Sequence, residues 1–196
     1  MTRDELRRRL AAHEPHESPD PPRPTPPGAE QETEAAVLVP LYVHDQEPHA
    51  VFTKRREDLR RHPGEISFPG GRRDHDGEPL HDTALREAEE EIGLTPADVE
   101  LVATLQPVRT FATGYVIFPH VGLIEPGREW VLSPHEVAQV IELSLAALTA
   151  GYALRPVTRR GFTFDTDTYL VGDHLIWGAT ARILGDLLER LELAPA

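Results

Sequence analysis

The stretch "GGRRDHDGEPLHDTALREAEEEIGL", Gly70–Leu94, decides how this 196-residue chain is to be read. Its second half crowds Glu87, Glu89, Glu90 and Glu91 into five residues. A helix is predicted from about Pro79 or Asp82 to Ile92. Leu85, Ala88 and Ile92 recur at i, i+3 and i+7, and Gly93 follows as a C-terminal cap. On that helix Glu87, Glu90 and Glu91 stand at i, i+3 and i+4 and share a face away from the apolar stripe. Like charges at such spacing cost about 0.2–0.5 kcal/mol per pair. A solvent-facing acidic surface is the commoner origin of such a run. The other reading is a bound cation, since convergent carboxylates are hard-oxygen ligands for Mg²⁺ or Mn²⁺.

Outward from this segment the chain alternates strands and helices. Upstream, "AAVLVPLYV" (35–43), "HAVFTKR" (49–55) and "GEISF" (64–68) read as strands, the first two joined by the polar turn "HDQEP". Downstream, "VELVATLQPV" (99–108) and "YVIFPHVGLI" (115–124) are strands, and "LSLAALTAG" (143–151) is a short helix. "GFTFDTDTYLV" (161–171) alternates like a hairpin strand. "WGATARILGDLLERLEL" (177–193) is a helix, apolar at Ala181, Leu184, Leu188 and Leu191. This order predicts an α/β domain, a mixed sheet packed between helices. Before it, "RDELRRRLAAH" (3–13) reads as an amphipathic helix. "EPHESPDPPRPTPPGAEQE" follows, too rich in proline and polar residues to bury a core and suited to an extended arm. The expected organisation is a helix and Pro-rich arm over residues 1–33 and a folded domain over 34–196.

Composition narrows the function classes. A formal charge of −13 argues against general nucleic-acid binding, which needs a basic field. The absence of cysteine excludes disulfides and thiolate-bound metal. No secretory signal, membrane span or sorting address is visible, so a soluble cytoplasmic protein is expected. Positive charge is concentrated at one place. From Lys54 to Arg73 the chain carries seven of its 20 Lys and Arg, against Glu57, Asp58 and Glu65. A local cationic strip on an acidic protein points to a small anionic ligand, with chance clustering as the plainer alternative. There is no G-x4-G-K-[ST] loop, G-x-S-x-G elbow or H-E-x-x-H site. The ten histidines are scattered, with His62, His75 and His81 nearest the glutamates.

The opening segment resembles the Nudix box, G-x5-E-x7-R-E-U-x-E-E-x-G-U, where U is aliphatic. From Glu78, seven residues lead to Arg86-Glu87, then Ala88, Glu89, Glu90-Glu91, Ile92, Gly93 and Leu94. The departure is at the front, where six residues instead of five separate Gly71 from Glu78 and leave the placement of Glu78 open. The resemblance implies a Nudix-type α/β/α sandwich with a central mixed β-sheet. It also implies a catalytic set of Arg86, Glu87, Glu90 and Glu91 acting with Mg²⁺ or Mn²⁺. Glu87 and Glu91 become primary metal ligands, Glu90 a further ligand or the base, and the Gly70 carbonyl another donor. Arg86 pairs with Glu78 and holds the helix in register. A fourth acidic ligand is expected from a distant loop, with Glu136 in "SPHEVAQV" ahead of Glu125 and Glu129.

Immediately upstream, "VFTKRREDLRRHPGEISFPGG" (51–71) resembles the motif of the coenzyme A pyrophosphatase branch, L-L-T-x-R-[SA]-x3-R-x3-G-x3-F-P-G-G. Thr53, Arg55, Arg60, Gly64, Phe68, Pro69, Gly70 and Gly71 match, and Arg56 stands where a small residue is expected. "HLIWGATARIL" (174–184) is similar to the C-terminal signature of the same branch. This resemblance implies hydrolysis of the diphosphate of coenzyme A or its derivatives to 3′,5′-ADP and 4′-phosphopantetheine. Substrate-binding residues would be Arg55, Arg60, Gly64 and Phe68, with Arg61, Arg72 and Arg73 as neighbouring cations for phosphate. Surface pairing is the plainer reading of any single arginine. The Phe68 ring itself reads as core, as does Trp177. The rival readings are a diphosphatase for ADP-ribose or NADH, and a nucleotide-binding sensor without catalysis.

Overall fold

The computed structural model describes residues 1–12, 33–59, 62–110, 114–159 and 161–195. The expected Pro-rich arm falls almost wholly outside them. Helix α1 (Arg3–Ala11) is capped by the Thr2 hydroxyl, which accepts the Glu5 N–H. Strands β1 (Thr33–His44) and β2 (Glu47–Arg55) form an antiparallel hairpin. Its turn residues Asp45 and Gln46 both have positive φ, the backbone that a tight hairpin needs. Then come β3 (Ile66–Ser67), β4 (Gly70–Arg72), α2 (Leu80–Ile92), a 3-10 turn (Pro96–Asp98), β5 (Glu100–Thr104), β6 (Val108–Arg109) and β7 (Tyr115–Leu123). The chain ends with β8 (Val137–Ser144), α3 (Leu145–Ala150), β9 (Tyr152–Arg159), β10 (Phe162–Val171), β11 (His174–Trp177) and α4 (Gly178–Arg190).

β1 organises the larger, eight-stranded sheet. Along one edge it pairs in parallel with β7, which in turn pairs with β5. Along the other edge its first half pairs with β4 and its second half with β2. Such a strand is buried on both faces, and its long apolar run reflects that. Alternation still sorts its side chains. Val39 and Leu41 join Ala50, Phe52, Leu6, Leu10 and the apolar face of α4 in one cluster. Ala36, Leu38 and Tyr42 join Val51, Ala84, Ala88, Ile92 and Leu94 in another. Helices therefore cover both faces of a mixed sheet, as expected from the sequence. β9, β10 and β11 form a separate antiparallel sheet of three strands.

α1 is part of this body. Leu6 and Leu10 are fully buried, and Arg7 makes two bonds to Glu100 of β5 at 2.7 and 2.8 Å. β4, β8, β9 and β11 carry no clear strand pattern in the sequence. Val137 and Ile141 lie four residues apart, a helix-like spacing, and only pairing with β2 makes β8 a strand. Pro156 obscures β9, which tolerates it as an edge strand.

Candidate active site

Small residues set α2 close to β1. Ala84 and Ala88 are fully buried in the cluster that holds Ala36 and Leu38, and side chains of that size let a helix approach a strand closely. Gly93, in the left-handed conformation, stops the helix: its N–H donates to the Glu89 carbonyl at 2.9 Å, and the Leu94 N–H to the Ala88 carbonyl at 3.3 Å. On the same half of β1, Val37 pairs with Gly70 and Ala36 with Gly71. A Cβ at Gly71 would come within 2.4 Å of the Glu87 carboxyl, and one at Gly70 within 2.3 Å of the Ala36 carbonyl oxygen. The glycine pair is what lets backbone and glutamates meet.

Burial separates the three glutamates of the shared face. Glu91 is 6% exposed. The Gly70 backbone N–H lowers its carboxyl slightly, while Oε2 is buried with no hydrogen-bond partner. Burial, reinforced by the charges of Glu87 and Glu136 and opposed by Arg55, pushes this carboxyl up to about 8. Glu87 also shifts upward, chiefly through burial, although Arg86 counters it from 2.9 Å. Glu90 stays at the rim, with its side chain 61% exposed and 3.4 Å from Arg86.

Arg86 ties this wall together. Nε donates to Glu78 Oε1 at 3.0 Å, one terminal nitrogen to Glu87 Oε1 at 2.9 Å, and the other to the Arg72 carbonyl at 3.0 Å. Glu78 also accepts the Asp74 N–H at 2.9 Å, and the Arg86 hydrogen bond above all holds its carboxyl down at about 2. The six-residue spacing is thereby accommodated. The chain turns between His75 and Glu78, with Gly77 at φ 91°, and Glu78 still reaches Arg86.

Glu136 arrives from a segment distant in sequence. The Ser133 N–H donates to the Glu91 carbonyl at 2.9 Å, and the Val131 N–H to the Ile92 carbonyl at 3.2 Å, stitching this loop to the end of α2. The Arg56 N–H donates to the Glu136 carbonyl at 3.1 Å, fixing the loop beside the end of β2. The Glu136 carboxylate lies 3.8 Å from the Arg55 guanidinium and acts on both Glu87 and Glu91. Glu125 is engaged elsewhere, 2.7 Å from Arg3, and Glu129 is exposed.

The other expected residues separate. Arg55 faces the carboxylates. Arg60 and Arg61 lie outside the described residues. Arg72 lends its carbonyl to Arg86, and Arg73 pairs with Glu34 at 2.6 Å. Gly64 has φ +67°, and a Cβ there would fall 2.6 Å from the Glu57 carboxylate. Phe68, named above among substrate-binding residues, is 2% exposed and stacked on Phe52 at 4.6 Å, so its ring is spent in the core. His62 bonds Glu65 at 2.5 Å, His75 is exposed, and His81 stands edge-on to His120 at 6.3 Å. Asp74, which supports Glu78 through its N–H and approaches Arg86 at 3.6 Å, carried no signal in the sequence beyond its position in the loop.

Among the described residues, no three His, Asp or Glu side chains stand already gathered around one cation position. The chemistry of the donors fits a hard divalent ion nonetheless. Glu87, Glu91 and Glu136 act on one another as neighbouring carboxylates. A buried acceptor such as Glu91 Oε2 is costly until a proton or cation satisfies it.

Comparison with known proteins gives the family and the fold. The family model of the NUDIX domain matches residues 32–160. The Nudix hydrolase NudL of Photorhabdus laumondii, itself described as uncharacterized, is 37% identical over 161 residues, covering 81% of this chain and 85% of that protein. NudL of Salmonella newport, described likewise, is 38% identical over 164 residues, 83% of this chain and 84% of its own. Among solved structures, a MutT/nudix family protein from Enterococcus faecalis superposes with TM-score 0.57 at 14% identity, over 85% of this chain and 64% of that one. A C. elegans Ap4A hydrolase in a binary complex superposes with TM-score 0.51 at 20% identity, over 58% of this chain and 80% of that one. At these identities the structural likeness speaks for the fold alone. Hydrolases of this kind generally act with divalent metal ions. The glutamate helix, its glycine turn and the matched domain together make this chain a member of the Nudix hydrolase family.

Proposed function

We propose that the protein hydrolyses the diphosphate of coenzyme A or its derivatives with Mg²⁺ or Mn²⁺, releasing 3′,5′-ADP and 4′-phosphopantetheine. The observation that carries this reading is the position of Arg55. It belongs to the segment upstream of the box, yet it lies 3.8 Å from Glu136 and acts on Glu91. A phosphate-binding cation and the metal-binding carboxylates thus belong to one site. Glu87 and Glu91 would hold the ion, with Glu90, Glu136 and the Gly70 carbonyl as further donors. A divalent ion bound there supplies Lewis acidity, drawing charge from the diphosphate and lowering the pKa of the attacking water. Glu90 at the rim and Glu136 beside Arg55 are the carboxylates available to take the water's proton. Arg55 offers its guanidinium to a phosphate oxygen, a planar fork suited to that partner. Arg86, bonded on three sides, positions Glu78 and Glu87. Coenzyme A carries a 3′-phosphate in addition to its diphosphate, and the exposed Arg72 with Arg60 and Arg61 are further cations for it. Because the substrate is an intracellular cofactor, the proposed place of action is the cytoplasm.

The test is hydrolysis of coenzyme A beside ADP-ribose and NADH with either metal, separating products by chromatography. Fastest cleavage of coenzyme A with appearance of 3′,5′-ADP supports the proposal. Preference for another dinucleotide keeps the hydrolase and removes the substrate. Absence of cleavage with both metals overturns the catalytic reading.

A further inference from the structure

Among the described residues, two guanidinium groups border the carboxylates, and they are held in different ways. Arg86 is bonded to Glu78, Glu87 and the Arg72 carbonyl at 2.9–3.0 Å. Arg55 approaches Glu136 Oε2 only to 3.8 Å, beyond hydrogen-bond range, and its Nε is buried with no hydrogen-bond partner. Backbone contacts fix where the Arg55 side chain begins. The pairing of β2 with β8 shifts register between Lys54 and Arg55, and the next residue's N–H donates to the Glu136 carbonyl at 3.1 Å. Among the described residues, Arg55 is thus anchored at its backbone and held at its head by charge alone.

We propose that Arg55 competes with the divalent ion for Glu136 and Glu91, so that ion binding turns this guanidinium from the carboxylates towards the substrate's phosphate. A dication on the same carboxylates repels the guanidinium and takes over the negative charge that attracts it. The linkage is reciprocal: whatever Arg55 costs the ion, the ion costs the Arg55–Glu136 pair. The ion is then expected to bind before the substrate. This inference rests on the hydrolytic reading above and deepens it.

The experiment titrates Mn²⁺ into the full chain without substrate, reading free Mn²⁺ by electron paramagnetic resonance, for wild type, Arg55→Gln, Arg55→Lys and Glu136→Gln. Steady-state hydrolysis at saturating Mn²⁺ runs alongside. Arg55→Gln is expected to bind Mn²⁺ roughly 5-fold or more tightly, while its KM for substrate rises. Arg55→Lys keeps the charge, so Mn²⁺ affinity stays near wild type, yet it does not restore KM because the planar fork is gone. Glu136→Gln binds Mn²⁺ more weakly. A rise in KM with unchanged Mn²⁺ affinity in Arg55→Gln makes Arg55 a plain substrate contact and overturns the competition. Weaker Mn²⁺ binding with a lowered melting temperature makes it structural and overturns it equally. A wild type that binds no Mn²⁺ defeats the hydrolytic reading as well. Should Arg55→Gln fail to fold, the wild-type Arg55 Nε resonance supplies the answer by NMR. It is expected to shift on Mg²⁺ addition more than that of Arg86, and no such shift overturns the proposal.

Discussion

Glu91, proposed above as a metal ligand, is where that role would work against stability. Its carboxyl is pushed up from 4.5 to about 8, chiefly by burial. Between those values the folded chain holds a proton that the unfolded chain has released, so stability falls as pH rises through the window. With metal chelated, wild type is expected to lose melting temperature from about pH 5 to about pH 8 more steeply than Glu91→Gln. At the upper end the variant should be the more stable of the two while its hydrolysis drops by at least about 10²-fold. Equal pH slopes in a thermal-melt series count against the burial argument. Arg86→Lys tests the opposite wall. Lysine keeps the charge and loses the fork, leaving Glu78, 8% exposed, without its principal partner. A loss of about 1.5–3 kcal/mol in urea unfolding is expected, the range for hydrogen bonds to charged groups.

Single elements explain how these residues reach one place. In α2, Ala84, Ala88 and Ile92 define the buried face, and Glu87 and Glu91 follow from it by helical geometry. The sequence pattern located this helix and its Gly93 stop almost to the residue, because both depend on contacts within one or two turns. It located β1 and β2 for a similar reason, since apolar runs flank a polar turn. It missed β4 because three residues beginning Gly-Gly carry no strand pattern, and their pairing with Ala35–Val37 is a property of β1. The sequence reads α1 as an amphipathic helix, yet nothing in eleven residues says what its apolar face meets. It meets the main core. Leu10→Ala is therefore expected to cost about 2–5 kcal/mol, measured by urea unfolding, as for other fully buried leucines. A cost below about 0.5 kcal/mol, the ordinary surface value, means that the helix is not docked in solution.

The whole molecule adds coupling between folding and ligand. An ion that binds the folded chain alone stabilises it by mass action, about 2.7 kcal/mol at 100 times its dissociation constant. Mn²⁺ should raise the melting temperature of wild type and leave that of Glu91→Gln nearly unchanged. An equal rise in both places the ion elsewhere. Among the described residues, no helix is long and apolar enough to cross a membrane. The linear chain determined by itself that Glu87, Glu90 and Glu91 share a helical face, that Arg86 sits among them, and that a glycine turn precedes them. These are relations of spacing, and spacing survives in a one-dimensional text. Only the tertiary structure decided that Glu91 is buried while Glu90 remains at the rim, because burial depends on what packs above a residue. Only it brought Glu136 to Arg55, through the bonds from Ser133 to Glu91 and from Arg56 to Glu136. Those bonds join segments that no local pattern relates, and it is the pairing of β2 with β8 that makes them neighbours.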